Sequence, residues 1–101
     1  MDGDTVWISG EKIRLLDIDT AEMGPPKCTG PSPTALAARQ ALAELLDGTI
    51  TVERHGKDFF SRTLAIIKVD GRDVGAALVA MGLARPYQVG QTPWCNATPA
   101  D

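Results

Sequence analysis

Asp2, Asp4, Asp17, Asp19 and Glu22 fall within the first 22 residues of this 101-residue chain, in a segment otherwise rich in strand-forming residues. Asp is disfavoured in strands because it packs poorly and competes for backbone hydrogen bonds. A hard divalent cation would offset that cost. Carboxylate and carbonyl oxygens are what Ca2+ or Mg2+ select, and no His/Cys set exists here for a softer metal. Taken one at a time, such acids are solvated turn residues. Arg14 lies among them, and Arg62 opens a later apolar run. Two guanidiniums aimed at one point clamp a phosphate and meet charge that grows during phosphodiester cleavage. Singly, each is an ordinary surface arginine. Strict alternation would set Arg14 and Asp19, five apart, on opposite faces of a strand, so a bulge or sharp bend between them is required. His55, the only histidine, has no Ser or Cys nucleophile motif near it and reads as a loop residue. Trp7 reads as core. Phe60 and Tyr87 either stack on a base or fill the interior.

The elements that must position these residues follow from periodicity. Thr5 to Ile8 and Lys12 to Ile18 read as a hairpin around Ser9-Gly10-Glu11. Met23 to Ser32, with three prolines and two glycines, is loop. Ser32 offers an N-cap and Pro33 suits a first helical position, so a helix runs from Pro33 to about Asp47, stopped by Gly48. Thr49 to Glu53 alternates as a half-buried strand, broken by His55-Gly56-Lys57-Asp58. Thr63 to Val69 is a strand, Asp70-Gly71 a turn, and Asp73 caps a short helix from Val74 to Met81 that Gly82 ends. This order predicts an α+β, mainly β, fold: a small OB-type antiparallel barrel with one main helix and one short one. The whole of 1–101 forms one unit, with its core in 2–87 and an irregular tail over 88–101.

Composition narrows the function. Apolar types make up 44% of the residues, and no run of them is long enough for a bilayer span. The formal charge is −3, and residues 1–30 hold six acids against three bases while the remainder balances. Net acidity argues against a high-affinity nucleic-acid clamp unless a local cation reverses the sign. Cys28 and Cys95 either form a bridge, worth roughly 4 kcal/mol in the chain-entropy model, or stay as two reduced thiols.

Five segments in order carry a resemblance: Asp2-Gly3-Asp4-Thr5-Val6, Ile13-Arg14-Leu15, Ile18-Asp19-Thr20-Ala21-Glu22, Asp58-Phe59-Phe60-Ser61-Arg62-Thr63-Leu64-Ala65 and Leu78-Val79-Ala80-Met81-Gly82-Leu83-Ala84. Together they resemble the thermonucleases of the staphylococcal nuclease type. The resemblance implies a Ca2+-dependent nuclease that hydrolyses DNA and RNA with little sequence preference. Asp4 and Asp19 would ligate one Ca2+ through carboxylates and Thr20 through its backbone carbonyl. Arg14 and Arg62 would bind the scissile phosphate, and Glu22 would align or deprotonate the attacking water.

Some positions depart from that pattern. Ala21 stands where the family usually has Pro, and Ser61 where it usually has Gly, so Ser61 is strained if that position needs a positive φ. Phe59 and Phe60 replace a basic residue followed by Tyr, leaving Phe60 a stacking role. The family's first strand normally starts before the Asp-Gly-Asp-Thr motif, and only Met1 precedes it here. The expected barrel is therefore short of a strand: either that strand was trimmed from a longer protein or a second copy covers the edge. A non-catalytic module of the same fold that binds nucleic acid or protein is the alternative reading. A bridge and the family's habit of export favour a secreted or periplasmic setting, with the cytoplasm still open.

Overall fold

The computed structural model describes residues 3–24, 28–88 and 91–95. Seven strands and two helices follow in the order β1 (Thr5–Ile8), β2 (Glu11–Leu15), β3 (Ile18–Asp19), α1 (Pro33–Leu45), β4 (Ile50–Lys57), β5 (Thr63–Val69), β6 (Arg72–Asp73), α2 (Val74–Ala80) and β7 (Arg85–Pro86). The main sheet runs β1-β2-β5-β4, with β6 paired to β5, and β3 and β7 form a separate two-stranded sheet.

The mixed, mainly β fold agrees with expectation, but the sheet is neither fully antiparallel nor a closed barrel among the described residues. β2 runs parallel to β5, with Ile13 opposite Thr63 and Leu15 opposite Ala65. Parallel neighbours require a crossover, and the connection here contains β3, α1 and β4. β1 and β4 are the two ends of the sheet order, with no described strand joining them.

The local signals explain most boundaries. Ser32 caps α1 by accepting the Ala35 N–H at 3.1 Å, and Asp73 caps α2 by accepting that of Ala76. Asp70 and Gly71 take φ of 52° and 82°, the pair of left-handed residues a tight hairpin turn demands. β4 departs from its expected limits. Rather than ending before His55, it continues to Lys57, because a register shift between Arg54 and Lys57 absorbs Gly56 at φ 92°. Nor is it half-buried: only Val52 is part-covered, packing against the core, and the other residues of β4 are exposed.

Ile13 and Leu15 of β2, Ala65 and Ile67 of β5, Leu42 of α1, and Val74 and Leu78 of α2 form the core. Trp7 is not part of it. This residue is 58% exposed and lies opposite Lys12 on the outer side of the hairpin, the ammonium 5.9 Å from its ring. A second cluster joins Ala21, Ala35 and the buried Trp94. Cys28 and Cys95 are bridged, with Cα atoms 5.5 Å apart. The bridge ties the segment 91–95 to the loop that precedes α1.

Candidate active site

The bend that alternation demanded lies at Leu16 and Asp17, where Asp17 takes φ 67°. It turns the chain out of β2 and into β3, and the Arg14 side chain fills the inside of the turn. Arg14 Nη1 donates to the carbonyls of Leu15 at 2.7 Å and Ile18 at 2.9 Å. Two of its donors are thus spent on holding the bend, and the arginine is fixed without a ligand.

Asp4 reaches the same point from the start of β1. Its carbonyl accepts the Leu15 N–H at 2.8 Å, and its side chain is almost wholly buried. Gly3 makes the approach feasible: a Cβ there would stand 2.8 Å from Ala38 Cβ of α1, closer than such atoms pack. Arg14 Nη2 lies 3.4 Å from Asp4 Oδ2 and 3.9 Å from Asp19 Oδ1, so one guanidinium nitrogen faces both carboxylates. Thr20 donates its N–H to Asp4 Oδ2 at 3.4 Å. Its hydroxyl is buried with no hydrogen-bond partner among the described residues.

Arg62 arrives from a turn built by Asp58. The Asp58 Oδ1 accepts the N–H groups of Phe60 and Arg62, both at 2.9 Å, and Oδ2 accepts Arg62 Nε at 2.7 Å. Burial alone would raise the Asp58 carboxyl. The hydrogen bonds and the Arg62 charge outweigh it and hold the group below its ordinary value. Ser61 adopts φ 64°, the strain expected at that position. Arg62 Nη1 then donates to Thr5 Oγ1 at 3.4 Å, and Thr5 Oγ1 donates to Asp4 Oδ1 at 3.2 Å. Both arginines therefore meet Asp4, one directly and one through Thr5.

Asp4, Arg14, Asp19, Glu22, Arg62, Phe60 and Tyr87 line one cleft of about 610 Å³. Thr20 is buried behind that lining. Phe59 and Phe60 are 95% and 75% exposed and Tyr87 is 55% exposed, so neither Phe60 nor Tyr87 fills the interior. Glu22 is set by its N–H, which donates to the Trp94 carbonyl at 2.8 Å. His55 stands apart on β4, 3.1 Å from Glu53. Asp2 lies outside the described residues.

The sequence profile of the family described as staphylococcal nuclease homologue matches residues 12–98. The chain belongs to that family. No curated protein matches closely enough to be counted a relative. For a member of the staphylococcal nuclease homologues, the matched stretch includes Arg14, Asp19, Thr20, Glu22 and Arg62, while Asp4 lies before it. Family membership carries the OB-like fold and a nuclease-type module.

Two residues of the site escaped the sequence. Asp58 had a legible signal, an Asp at the head of a turn with an arginine four residues later. Arg85 had none. It faces Asp19 only because β7 pairs with β3, where Asp19 and Arg85 are register partners. Arg85 Nε and Nη2 lie 3.0 and 2.9 Å from Asp19 Oδ2.

No three His, Cys, Asp or Glu side chains among the described residues converge to cage a metal on their own. The two carboxylates that face one point, Asp4 and Asp19, still suit a hard ion whose other positions water would fill; the Thr20 N–H is turned to Asp4 Oδ2, and the buried Thr20 hydroxyl has no partner among the described residues.

Proposed function

We propose that the protein is a Ca2+-dependent phosphodiesterase cleaving DNA or RNA without sequence preference. The observation that carries this reading is the convergence of two carboxylates and two guanidiniums, Asp4, Asp19, Arg14 and Arg62, on one cleft. Asp4 and Asp19 would hold the ion through carboxylates and Thr20 through its carbonyl. A bound Ca2+ would supply Lewis-acid polarisation of the phosphoryl group.

The remaining roles fall to the chain itself. Arg14, already locked by its own bend, would receive a nonbridging phosphate oxygen with little loss of side-chain freedom. Arg62, anchored on Asp58, would meet the charge that accumulates as the ester bond breaks. Glu22 would take the proton of the attacking water. Phe60 and Tyr87, exposed at the cleft, would stack on flanking bases.

Cleavage of single-stranded DNA with Ca2+ and then with chelator tests the reading. Turnover should vanish on chelation and fall at least ~100-fold in Glu22→Gln. Asp19 already pairs with two arginines, which favours a second reading, a non-catalytic module that binds nucleic acid or protein. Absence of cleavage by folded protein saturated with Ca2+ would decide for that module. The outer edges of β1 and β4 offer pairing to a second copy, which sedimentation would detect. No helix among the described residues is long and apolar enough to cross a membrane, and the Cys28–Cys95 bridge supports a secreted or periplasmic setting.

A further inference from the structure

The geometry points to Arg85 as a cation built into the chain that competes with the divalent ion for Asp19, an inference that rests on the Ca2+ reading above. Arg85 is not one of the arginines placed to meet substrate. It lies behind Asp19, and three contacts fix it there. Both Nε and Nη2 address a single carboxylate oxygen, Oδ2, and leave Oδ1 as the atom turned toward Arg14. Nη2 also donates to the Thr92 carbonyl at 2.6 Å. The guanidinium lies over the Trp94 ring, 5.4 Å from its centre. Thr92 and Trp94 belong to the segment anchored by the Cys28–Cys95 bridge and by the Glu22 N–H bond to the Trp94 carbonyl.

The consequence is electrostatic. A carboxylate whose Oδ2 holds a guanidinium binds a further cation through one oxygen only, against a positive charge that cannot move aside freely. Arg14 faces both carboxylates as well, so the two acids already face two fixed positive charges before any ion arrives. Hard-ion affinity follows the uncompensated charge of the ligand set. Arg85 therefore lowers affinity at this site, and the bridged segment keeps it in place.

The test is calorimetric titration of the intact, oxidised protein with CaCl2, independent of turnover. Arg85→Met should bind Ca2+ about tenfold more tightly than the parent chain. Arg85→Lys keeps the charge and should stay near the parent value. Unchanged or weaker binding in folded Arg85→Met overturns the proposal, as does an equal gain in Arg85→Lys, which would trace the effect to geometry rather than charge. If neither the parent nor Arg85→Met binds Ca2+, the ion reading itself fails and this inference falls with it. Binding by the parent with no gain in Arg85→Met sinks the inference alone. The unsubstituted chain gives a check that no folding defect can disturb: the Arg85 Nε–H resonance should shift during the same titration as its acceptor loses charge. A resonance that stays fixed while heat is released also overturns the competition.

Discussion

Arg62 Nε donates to Asp58 Oδ2 at 2.7 Å, while the other oxygen of the same carboxylate holds the backbone N–H groups of Phe60 and Arg62. One side chain thus shapes the turn and aims the arginine that leaves it. Asp58→Ala should cost about 1–2 kcal/mol of stability through the orphaned donors, and cleavage should drop by roughly tenfold or more because Arg62 loses its fixed geometry. Asp58→Asn can keep the turn but not the charge, so its melting temperature should lie nearer the parent than that of Asp58→Ala. Denaturant unfolding and single-stranded DNA cleavage measured on the same preparations separate the two effects.

Ser61 sits between these residues at φ 64°, a left-handed conformation in which a Cβ is disfavoured. Ser61→Gly should therefore stabilise the protein by about 1 kcal/mol, the relief of strain exceeding the added freedom of the unfolded chain. Thermal unfolding checks the sign. A lower melting temperature would mean that contacts of the serine outweigh its backbone cost.

Glu11 accepts hydrogen bonds from Arg54 Nε and Nη2 and from Thr63 Oγ1, linking β2 to β4 and β5. The Arg54 hydrogen bond, followed by that from Thr63, lowers its pKa from 4.5 to about 2. A depressed carboxylate stabilises the fold above its unfolded pKa, and that contribution disappears as the pH falls through the folded one. The Glu11 carboxyl resonance should titrate near pH 2. Between pH 4.5 and 2 the parent chain should lose stability relative to its neutral-pH value more steeply than Glu11→Gln does.

The Cys28–Cys95 bridge spans a separation of 67 residues. Reduction should lower stability by up to about 4 kcal/mol in the chain-entropy model. It should also loosen the attachment of 91–95 to Glu22 and Arg85, raising hydrogen exchange at the Glu22 amide that donates to Trp94. Equal exchange in oxidised and reduced protein would show that the packing of Trp94 alone holds the segment.

Much of this protein is decided by short-range chemistry, and that part is written in its sequence. Ser32 and Asp73 cap the helices they precede because capping needs only a side-chain oxygen and an N–H three residues on. Asp70-Gly71 turns the chain because its backbone tolerates positive φ. The spacing of Arg14 and Asp19 demanded a bend, and Asp17 supplies it. Tertiary structure alone decided what depends on which strands meet. Trp7 faces water because its neighbour Val6 takes the inward face of β1, β2 lies parallel to β5 across a connection that contains β3, α1 and β4, and His55 stays in β4 because a bulge absorbs Gly56. Arg85 is the clearest case. Sixty-six residues separate it from Asp19, and no periodicity links such positions; only the pairing of β3 with β7 places that positive charge against the carboxylate.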